Sequence, residues 1–401
     1  MSTSPKIMVS PPGLSPGGIN SAAVSVTQPW LRMLSSVWGM CAPKRIRLED
    51  DLAKEPKRLA ALCKPICKQM LEDLKYPGVP RVKRESVEAL LKYMHKRAVE
   101  IGWPLDTPLS QKGFRLGFSL AAVIVISSVL TEHPQQMCHP RHPIEVQGYV
   151  GLFTWLVVQY DDIVGQNEGG MDEAQHFQRR FLNGETQPNA MLEGLAGLLR
   201  QAPDIFDPVM ASLLQISALK FMTCNLLERH DGFQNMKTTR GAGIKFPDFL
   251  RDLAGINVAY AVFCFPKAQY PDVSQYLEAI PDMARVIDIS NDVFSFYKEE
   301  LGGETRNYIH NRRMATGKDV FAVLEDVATD TVDAANRASA ILKGRGTYEQ
   351  SMQECARGFH AMHTSNPRYK MADMDLAEEH PLAPYEHLMA EIFGGHEKVK
   401  A

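Results

Sequence analysis

Residues 288–300 read Asp-Ile-Ser-Asn-Asp-Val-Phe-Ser-Phe-Tyr-Lys-Glu-Glu and place oxygen-bearing side chains at a regular spacing. If the stretch is helical, Asn291, Ser295 and Glu299 share one face, because a helix turns by about 100° per residue. Neighbouring members lie about 6 Å apart along the axis, and Glu299 can lean back toward the helix N-terminus. Such oxygens suit a hard dication such as Mg²⁺. The alternative is a polar stripe of an amphipathic helix that faces solvent.

The literal string adds to this pattern. NDxxSxxxE followed by Gly303-Glu304-Thr305-Arg306-Asn307 resembles the second metal motif of class I terpene cyclases, and the trichodiene synthase family in particular. The resemblance implies an all-α fold, a helical bundle or barrel of the class I terpenoid synthase type with the active site in the barrel mouth. It also implies three Mg²⁺ ions, with Asn291, Ser295 and Glu299 as metal ligands and Lys298 as a diphosphate-binding residue.

Composition limits the classes of partner. The chain has 401 residues, 45% of them hydrophobic and 23% charged, and a formal net charge of −3. These values are typical of a soluble protein and give no electrostatic reason to expect nucleic acid or an anionic membrane as a partner. The longest apolar run, 118–130, is too short to span a bilayer, so no stable membrane insertion is expected.

Cysteine usage indicates a reducing compartment. The seven cysteines are odd in number and scattered through apolar runs, which predicts reduced core thiols and a cytoplasmic location. Cys63 and Cys67 stand one helical turn apart, but Cys138 and His139 have no ligand-like spacing to complete a zinc site. Core packing is the better interpretation of these thiols.

The N-terminal residues differ in composition from the rest. Residues 1–48 repeat Pro, Gly and Ser and show no secretory signal, so they are predicted to form a flexible or partly disordered arm. Trp30, Leu31, Leu34 and Trp38 could anchor it to the body. Residues 49–401 are predicted to form a single α-helical domain, with helices at 52–75, 84–102, 109–131, 143–166, 205–230, 245–265, 282–300 and 317–343.

A second acidic site ends an apolar helix at Asp161 and Asp162. Carboxylates are unfavourable at a helix C-terminus, which suggests a nearby cation; the alternative is an exposed acidic helix end. The pair resembles the aspartate-rich motif of the same family, which implies that Asp161 binds metal and that Asp162 forms a different pair and contacts the substrate. Gly165 stands where the usual motif has its last aspartate, and Glu168 could substitute if the helix continues that far.

Two further segments follow the order of the family's elements. Residues 246–255 resemble the segment that supplies a diphosphate-sensing arginine, which corresponds to Arg251, and Gly255 would break the helix there so that a backbone carbonyl faces the reacting cation. Taken alone, Arg251 would be a surface arginine. Residues 366–370 resemble the C-terminal Arg-Tyr pair: Arg368 would bind diphosphate and bridge to Asp162 on closure, and Tyr369 would line the pocket.

Some residues stay without a firm role. The basic cluster of His310, Arg312 and Arg313 is interpreted as a solvated face. Aromatic rings can stabilise a carbocation, and candidates for this role are Phe153, Trp155, Tyr160, Phe294 and Phe296.

The resemblance implies a sesquiterpene cyclase that ionises farnesyl diphosphate and makes a polycyclic hydrocarbon or alcohol, with trichodiene itself less expected than another product. It also implies a homodimer. Alternatives are a cyclase for another prenyl chain length and a non-catalytic helical protein that binds prenyl diphosphates. A chain-elongating prenyltransferase would have a second aspartate-rich motif and a class II cyclase a DxDD motif, and the sequence has neither.

Overall fold

The structure, a computed structural model, describes residues 55–126, 142–165 and 171–394. Within these ranges the segments with apolar residues at helical spacing fold as α-helices. No strand occurs in these ranges, and the all-α prediction is confirmed. The predicted arm at 1–48, Cys138, His139 and Glu168 lie outside the described residues. The helices of seven or more residues are α1 (Pro56–Asp73), α2 (Arg84–Ile101), α3 (Pro108–Ile126), α4 (Ile144–Gly165), α5 (Ala190–Ile205), α6 (Pro208–Arg229), α7 (Phe246–Ala254), α8 (Asn257–Phe263), α9 (Ile280–Gly302), α10 (Tyr308–Thr316), α11 (Val320–Leu342), α12 (Thr347–Ser365) and α13 (Glu386–Gly394).

Most helix bounds agree with the sequence prediction to within a few residues, but the predicted helix at 245–265 is interrupted. Helix α7 ends before Gly255 and α8 begins after Ile256, whose φ of 49° is left-handed. A β-branched residue disfavours this conformation. Tertiary contacts must therefore hold the break in place.

Six helices enclose the interior. Each of α3, α4, α6, α8, α9 and α12 packs against the next, and α12 packs back on α3, so the ring closes. Helices α3 and α4 approach closely at their crossing, where a Cβ on Gly117 would lie 2.2 Å from the carbonyl oxygen of Gly151. Glycine is therefore required at this crossing. The remaining long helices pack around the ring, with α11 against α9 and α1.

An apolar cavity of about 990 Å³ lies among several of these helices. Its wall includes residues from α4, α8, α9 and α12 of the ring, and also residues from α11 and from 73–77 at the end of α1, so no single helix forms it. The ring helices contribute Val150, Tyr260, Phe263, Met283, Ile287, Phe359 and His360 to this wall.

Among the described residues, α6 has the length and apolar composition of a membrane span. This is weak support for insertion, because core helices of soluble proteins share these properties. In this protein α6 packs against α4, α5, α7 and α8.

Candidate active site

The oxygen row predicted from the sequence lies on α9, directly above the cavity-lining Ile287 on the same face. Asn291 and Glu299 are partly buried, and Ser295 is buried. The Ser295 hydroxyl has no hydrogen-bond partner in the described part of the chain. A buried hydroxyl without a partner costs free energy, so a position that keeps one calls for a ligand as the explanation.

The Asn291 carboxamide is held from α12. Its Nδ2 lies 2.9 Å from Nε2 of His363, and the other ring nitrogen, Nδ1, lies 2.8 Å from the Phe359 carbonyl oxygen. Burial lowers the pKa of His363 to about 3, so the ring is neutral. Burial raises the pKa of the nearby Tyr369 to about 12, and the Asn291 amide opposes the rise.

Glu299 is held at both carboxylate oxygens. Lys298 Nζ donates to Oε1 at 3.1 Å, and Asn307 Nδ2 donates to Oε2 at 3.0 Å. Asn307 also accepts from the His310 backbone N–H and so begins α10, while Gly303, with φ of 73°, ends α9. The Gly303–Asn307 segment therefore orients the last member of the oxygen row.

On the opposite wall, Asp161 occupies the C-terminal part of α4. The surrounding protein desolvates its carboxyl and, with the neighbouring Asp162, raises its pKa, while Arg368 and a hydrogen bond from Asn225 oppose the rise. Because Asp161 is still exposed to water, these effects are moderated. Asp162 is paired differently, with Lys112 Nζ at 3.2 Å. Asp161 and Asp162 thus have different neighbours, and the metal-binding role of Asp161 stays a prediction.

A further carboxylate, Glu228 on α6, lies within electrostatic reach of Asp161. Burial and then Asp161 raise the pKa of Glu228. Glu228 also lines a pocket of about 680 Å³, formed together with Glu304, Arg306 and Asn307. The pocket lies between the end of α6 and the segment that orients Glu299, and the region around Asp161, Glu228 and Glu299 is called the mouth below.

Arg251 is largely but not fully buried, with 14% of its side chain exposed, and all three of its guanidinium nitrogens contact α9. Nε is 2.7 Å from Asp292 Oδ2, and the other two nitrogens lie 2.8 Å from the Asp288 carbonyl oxygen and 3.4 Å from Asp288 Oδ1. The interpretation of Arg251 as a surface arginine is therefore wrong. A direct contact with diphosphate would require these interactions to be shared or broken, so its role as a sensor stays a prediction.

The two aspartates bound by Arg251 have unusual protonation equilibria. Burial raises the pKa of Asp288 to about 7 and that of Asp292 to about 6, although Arg251 opposes both shifts. Burial works against the charge on Arg251, but Asp292 and Asp288 raise its pKa. The attraction of the two carboxylates keeps the guanidinium charged.

Gly255 follows α7 and lies against a buried carboxylate. A Cβ at this position would lie 1.7 Å from Asp288 Oδ1, so any side chain would collide with the carboxylate. Asn257, at the start of α8, donates to the other carboxylate oxygen of Asp288. The carboxylate therefore requires glycine at position 255, and the backbone leaves the helical conformation at the next residue, Ile256.

Arg368 and Tyr369 lie in a 3-10 turn after α12. The Arg368 side chain is exposed, and its charge acts on Asp161, Glu304 and Tyr369. It is therefore the cation that influences both walls of the mouth. The predicted bridge from Arg368 to Asp162 is not formed in this structure, in which Asp162 pairs with Lys112.

The five aromatic candidates from the sequence are all buried, but none is among the described residues that line the apolar cavity. Phe296 packs against Phe321 and His310, and Trp155 packs against Phe114. The Tyr and Phe rings at the cavity wall are instead those of Tyr76, Tyr260, Phe263 and Phe359. Helical spacing could not identify them, because an inward direction depends on the neighbouring helices.

The basic cluster has structural contacts. His310 bonds to Glu300, and Arg312 bonds to Asp330 on α11 at 2.8 Å. The interpretation of the cluster as a solvated face is therefore wrong for these two residues, which link α10 to α9 and α11.

Several site residues had no sequence signal of their own. Lys112, Asn225, Glu228 and His363 join the site only through contacts between distant helices. Asn307 is different, because it belongs to the Gly303–Asn307 string and that string carried the resemblance. The sequence motif could therefore have indicated Asn307, but it could not have indicated Lys112, Asn225, Glu228 or His363.

The donor set at the mouth is chemically suitable for Mg²⁺. Carboxylate, carboxamide and hydroxyl oxygens are its preferred protein ligands, and the partnerless Ser295 hydroxyl fits this use. In the described ranges no group of three or more His, Cys, Asp or Glu residues could hold a metal ion. A cation at the mouth would therefore depend on the amide and hydroxyl oxygens of α9.

Comparison with known proteins identifies the family. Residues 59–382 match the family model of trichodiene synthase (TRI5). The chain is 34% identical over 323 residues to longiborneol synthase CLM1 of Gibberella zeae, covering 80% of this chain and 90% of that protein. It is 32% identical over 323 residues to terpene synthase BipA of Cochliobolus sativus, with 80% and 93% covered, and 32% identical over 290 residues to alpha-cuprenene synthase COP6 of Coprinopsis cinerea, with 72% and 83% covered. The chain therefore belongs to the trichodiene synthase family and is a terpene synthase.

Proposed function

We propose that this protein is a Mg²⁺-dependent sesquiterpene cyclase that ionises farnesyl diphosphate and cyclises the allylic cation to a polycyclic hydrocarbon or alcohol. The observation that carries the proposal is the buried, partnerless hydroxyl of Ser295, in line with Asn291 and Glu299 above an apolar cavity. Family membership and the names of the relatives, which include longiborneol and alpha-cuprenene synthases, support a fifteen-carbon substrate.

The residues proposed to hold the metal are Asp161, Asn291, Ser295 and Glu299. When bound, Mg²⁺ ions supply electrostatic stabilisation of the negative charge on the leaving diphosphate. Glu228 is a further acidic group near Asp161, and it offsets part of the charge that Gly165 fails to provide. Its presence weakens the case for a non-catalytic protein that has lost its first metal motif.

The chain's own cations are proposed to bind the diphosphate. Arg368 has an exposed guanidinium whose charge already acts on both walls, and guanidinium groups bind phosphate oxygens in pairs. Lys298 is bonded to Glu299 and is available to shift to the diphosphate. Binding would draw the two walls together, and closure of this kind excludes water.

Below the mouth, the cavity is proposed to shape the cation. When the allylic C–O bond breaks, its electron pair leaves with the diphosphate and the hydrocarbon retains the positive charge. Tyr260, Phe263 and Phe359 line the cavity, and ring faces stabilise such charge by about 0.5–2 kcal/mol each. A volume of about 990 Å³ is at the upper end for small-molecule sites and so accommodates a folded prenyl chain.

The test is incubation with farnesyl diphosphate and Mg²⁺, followed by identification of volatile products. Geranyl diphosphate is assayed in parallel, because one relative is named monoterpene synthase 25 of Postia placenta and a ten-carbon substrate is the second candidate. Glu299→Gln should abolish turnover, whereas the neighbouring Glu300→Gln, whose carboxylate bonds to His310, should retain it. Diphosphate binding without any terpene product would overturn the proposal in favour of a non-catalytic protein.

A further inference from the structure

His363 is a buried residue on α12 with contacts that reach the oxygen row. Its side chain is fully buried and packs against the rings of Phe294, Phe359 and Tyr369, at centroid distances of 5.3, 4.8 and 4.4 Å. Neither the oxygen-row pattern nor the C-terminal Arg-Tyr motif includes this position. Unlike an apolar residue, a histidine at this buried position forms hydrogen bonds through both ring nitrogens.

The hydrogen bonds determine which tautomer the ring adopts. A backbone carbonyl can only accept, so Nδ1, 2.8 Å from the Phe359 oxygen, must carry the proton. In the neutral ring Nε2 then has a lone pair and can only accept. The atom that faces it at 2.9 Å is Nδ2 of Asn291, which donates.

This bond leaves only one orientation for the Asn291 carboxamide. If the amide turned over, its Oδ1 would face the Nε2 lone pair, and two acceptors would repel each other. With Nδ2 held by His363, Oδ1 is the amide atom that remains for a cation.

We propose that His363 is a positioning residue for metal binding: by accepting from Nδ2, it holds the Asn291 carboxamide so that Oδ1 is presented to the cation. Nitrogen of a neutral carboxamide is no ligand for a hard dication, so a turned amide would remove one ligand from the site. This inference rests on the metal role proposed above for Asn291. It also connects the Arg368-Tyr369 turn to α9, since Tyr369 contacts both His363 and Asn291.

The test compares His363→Gln with His363→Met. Glutamine and methionine are unbranched and similar in length, but only glutamine offers an amide oxygen that accepts from Nδ2. Binding of Mn²⁺ in the presence of inorganic diphosphate is measured by electron paramagnetic resonance, and the Mg²⁺ dependence of turnover is measured separately. Losses of a second-layer partner typically weaken metal affinity 10–100-fold.

We expect His363→Met to weaken Mn²⁺ binding about tenfold and to raise the Mg²⁺ concentration for half-maximal turnover, with turnover recovering at saturating Mg²⁺. His363→Gln should stay within about threefold of the wild type in Mn²⁺ affinity. The matched control is Ser365→Ala, in the same helix, whose buried hydroxyl bonds to the Ala361 carbonyl oxygen at 2.6 Å. It should leave Mn²⁺ binding unchanged.

Equal Mn²⁺ affinities for the Gln and Met variants would overturn the positioning role. If His363→Met fails to fold, His363→Gln still decides the matter, since its Mn²⁺ affinity must then stay near that of the wild type. Absence of Mn²⁺ binding by the wild-type protein is a separate result, which would overturn the proposed metal site itself.

Discussion

Replacing Ser295 by alanine should stabilise the metal-free protein and weaken its response to metal. The buried hydroxyl has no partner among the described residues, and leaving such a group unsatisfied costs about 1–3 kcal/mol. Alanine also has a higher helix propensity than serine, by about 0.5 kcal/mol. We therefore expect a gain of about 1.5–3.5 kcal/mol in the free energy of unfolding, or about 2–4 °C in Tm.

Ser290 provides the matched control on the same helix. It is fully buried, like Ser295, but its hydroxyl donates to the Val286 carbonyl oxygen at 2.6 Å. Ser290→Ala gains the same helix propensity and loses a satisfied bond worth about 1 kcal/mol, so its net effect should be close to zero. The difference between the two variants isolates the unpaired hydroxyl.

The assay is thermal unfolding with and without Mg²⁺ and inorganic diphosphate. A ligand at 100 times its Kd stabilises the folded state by about 2.7 kcal/mol, and a tenfold weaker affinity reduces this to about 1.4 kcal/mol. Ser295→Ala should show the smaller shift, while Ser290→Ala should show that of the wild type. A lower metal-free Tm for Ser295→Ala, or an unchanged response to Mg²⁺ and diphosphate, would refute the reasoning.

Three further substitutions test the packing and charge around the site. Gly255→Ala should destabilise the fold by about 1–3 kcal/mol or more, because its Cβ would lie 1.7 Å from Asp288 Oδ1. The control is Gly197→Ala, on the exposed face of α5, where no atom lies within 4 Å of the added Cβ; it should stabilise the fold by about 1 kcal/mol in the same thermal scans. Arg251→Met should lower the free energy of unfolding by about 3–5 kcal/mol at pH 8, because the buried carboxylates of Asp288 and Asp292 lose their cation. The loss should be smaller at pH 5, where these groups, with pKa values of about 7 and 6, are protonated. An equal loss at both pH values would contradict this. Burial lowers the pKa of His360 to about 4, so the stability that its neutral ring contributes above the unfolded pKa of about 6.5 is lost as pH falls toward 4. In urea titrations, the loss of stability between pH 7 and pH 5 should be about 2 kcal/mol smaller for His360→Leu than for the wild type, and an identical pH dependence would rule out His360 as its source.

Local patterns predicted the helices well because helix formation depends on near neighbours. The bounds of α2, α4 and α9 differ from the sequence prediction by two residues or fewer. The helix at 245–265 was predicted as continuous in its periodicity, but it is interrupted at Gly255 and Ile256, and Asp288, 33 positions after Gly255 in the sequence, occupies the space that a side chain at 255 would need. Periodicity carries no information about a contact of that kind.

The cavity wall shows the same limit. Phe153 and Phe296 are buried as expected for apolar residues on helices, but burial alone does not distinguish a ring that faces the interior from one that packs between helices. Tyr260 and Phe263 line the cavity and belong to α8, the short helix that follows the interruption. Which aromatic rings reach the cavity is therefore a property of the assembled ring.

The amino-acid sequence alone determined that Asn291, Ser295 and Glu299 share one helix face, because helical geometry relates residues four apart wherever the helix lies. Only the tertiary structure decided what surrounds them. His363 meets Asn291 across 72 positions of sequence, and Arg251 meets Asp292 across 41. Such partners are brought together by helix packing, which depends on the whole set of contacts around the ring and is not encoded in any local spacing.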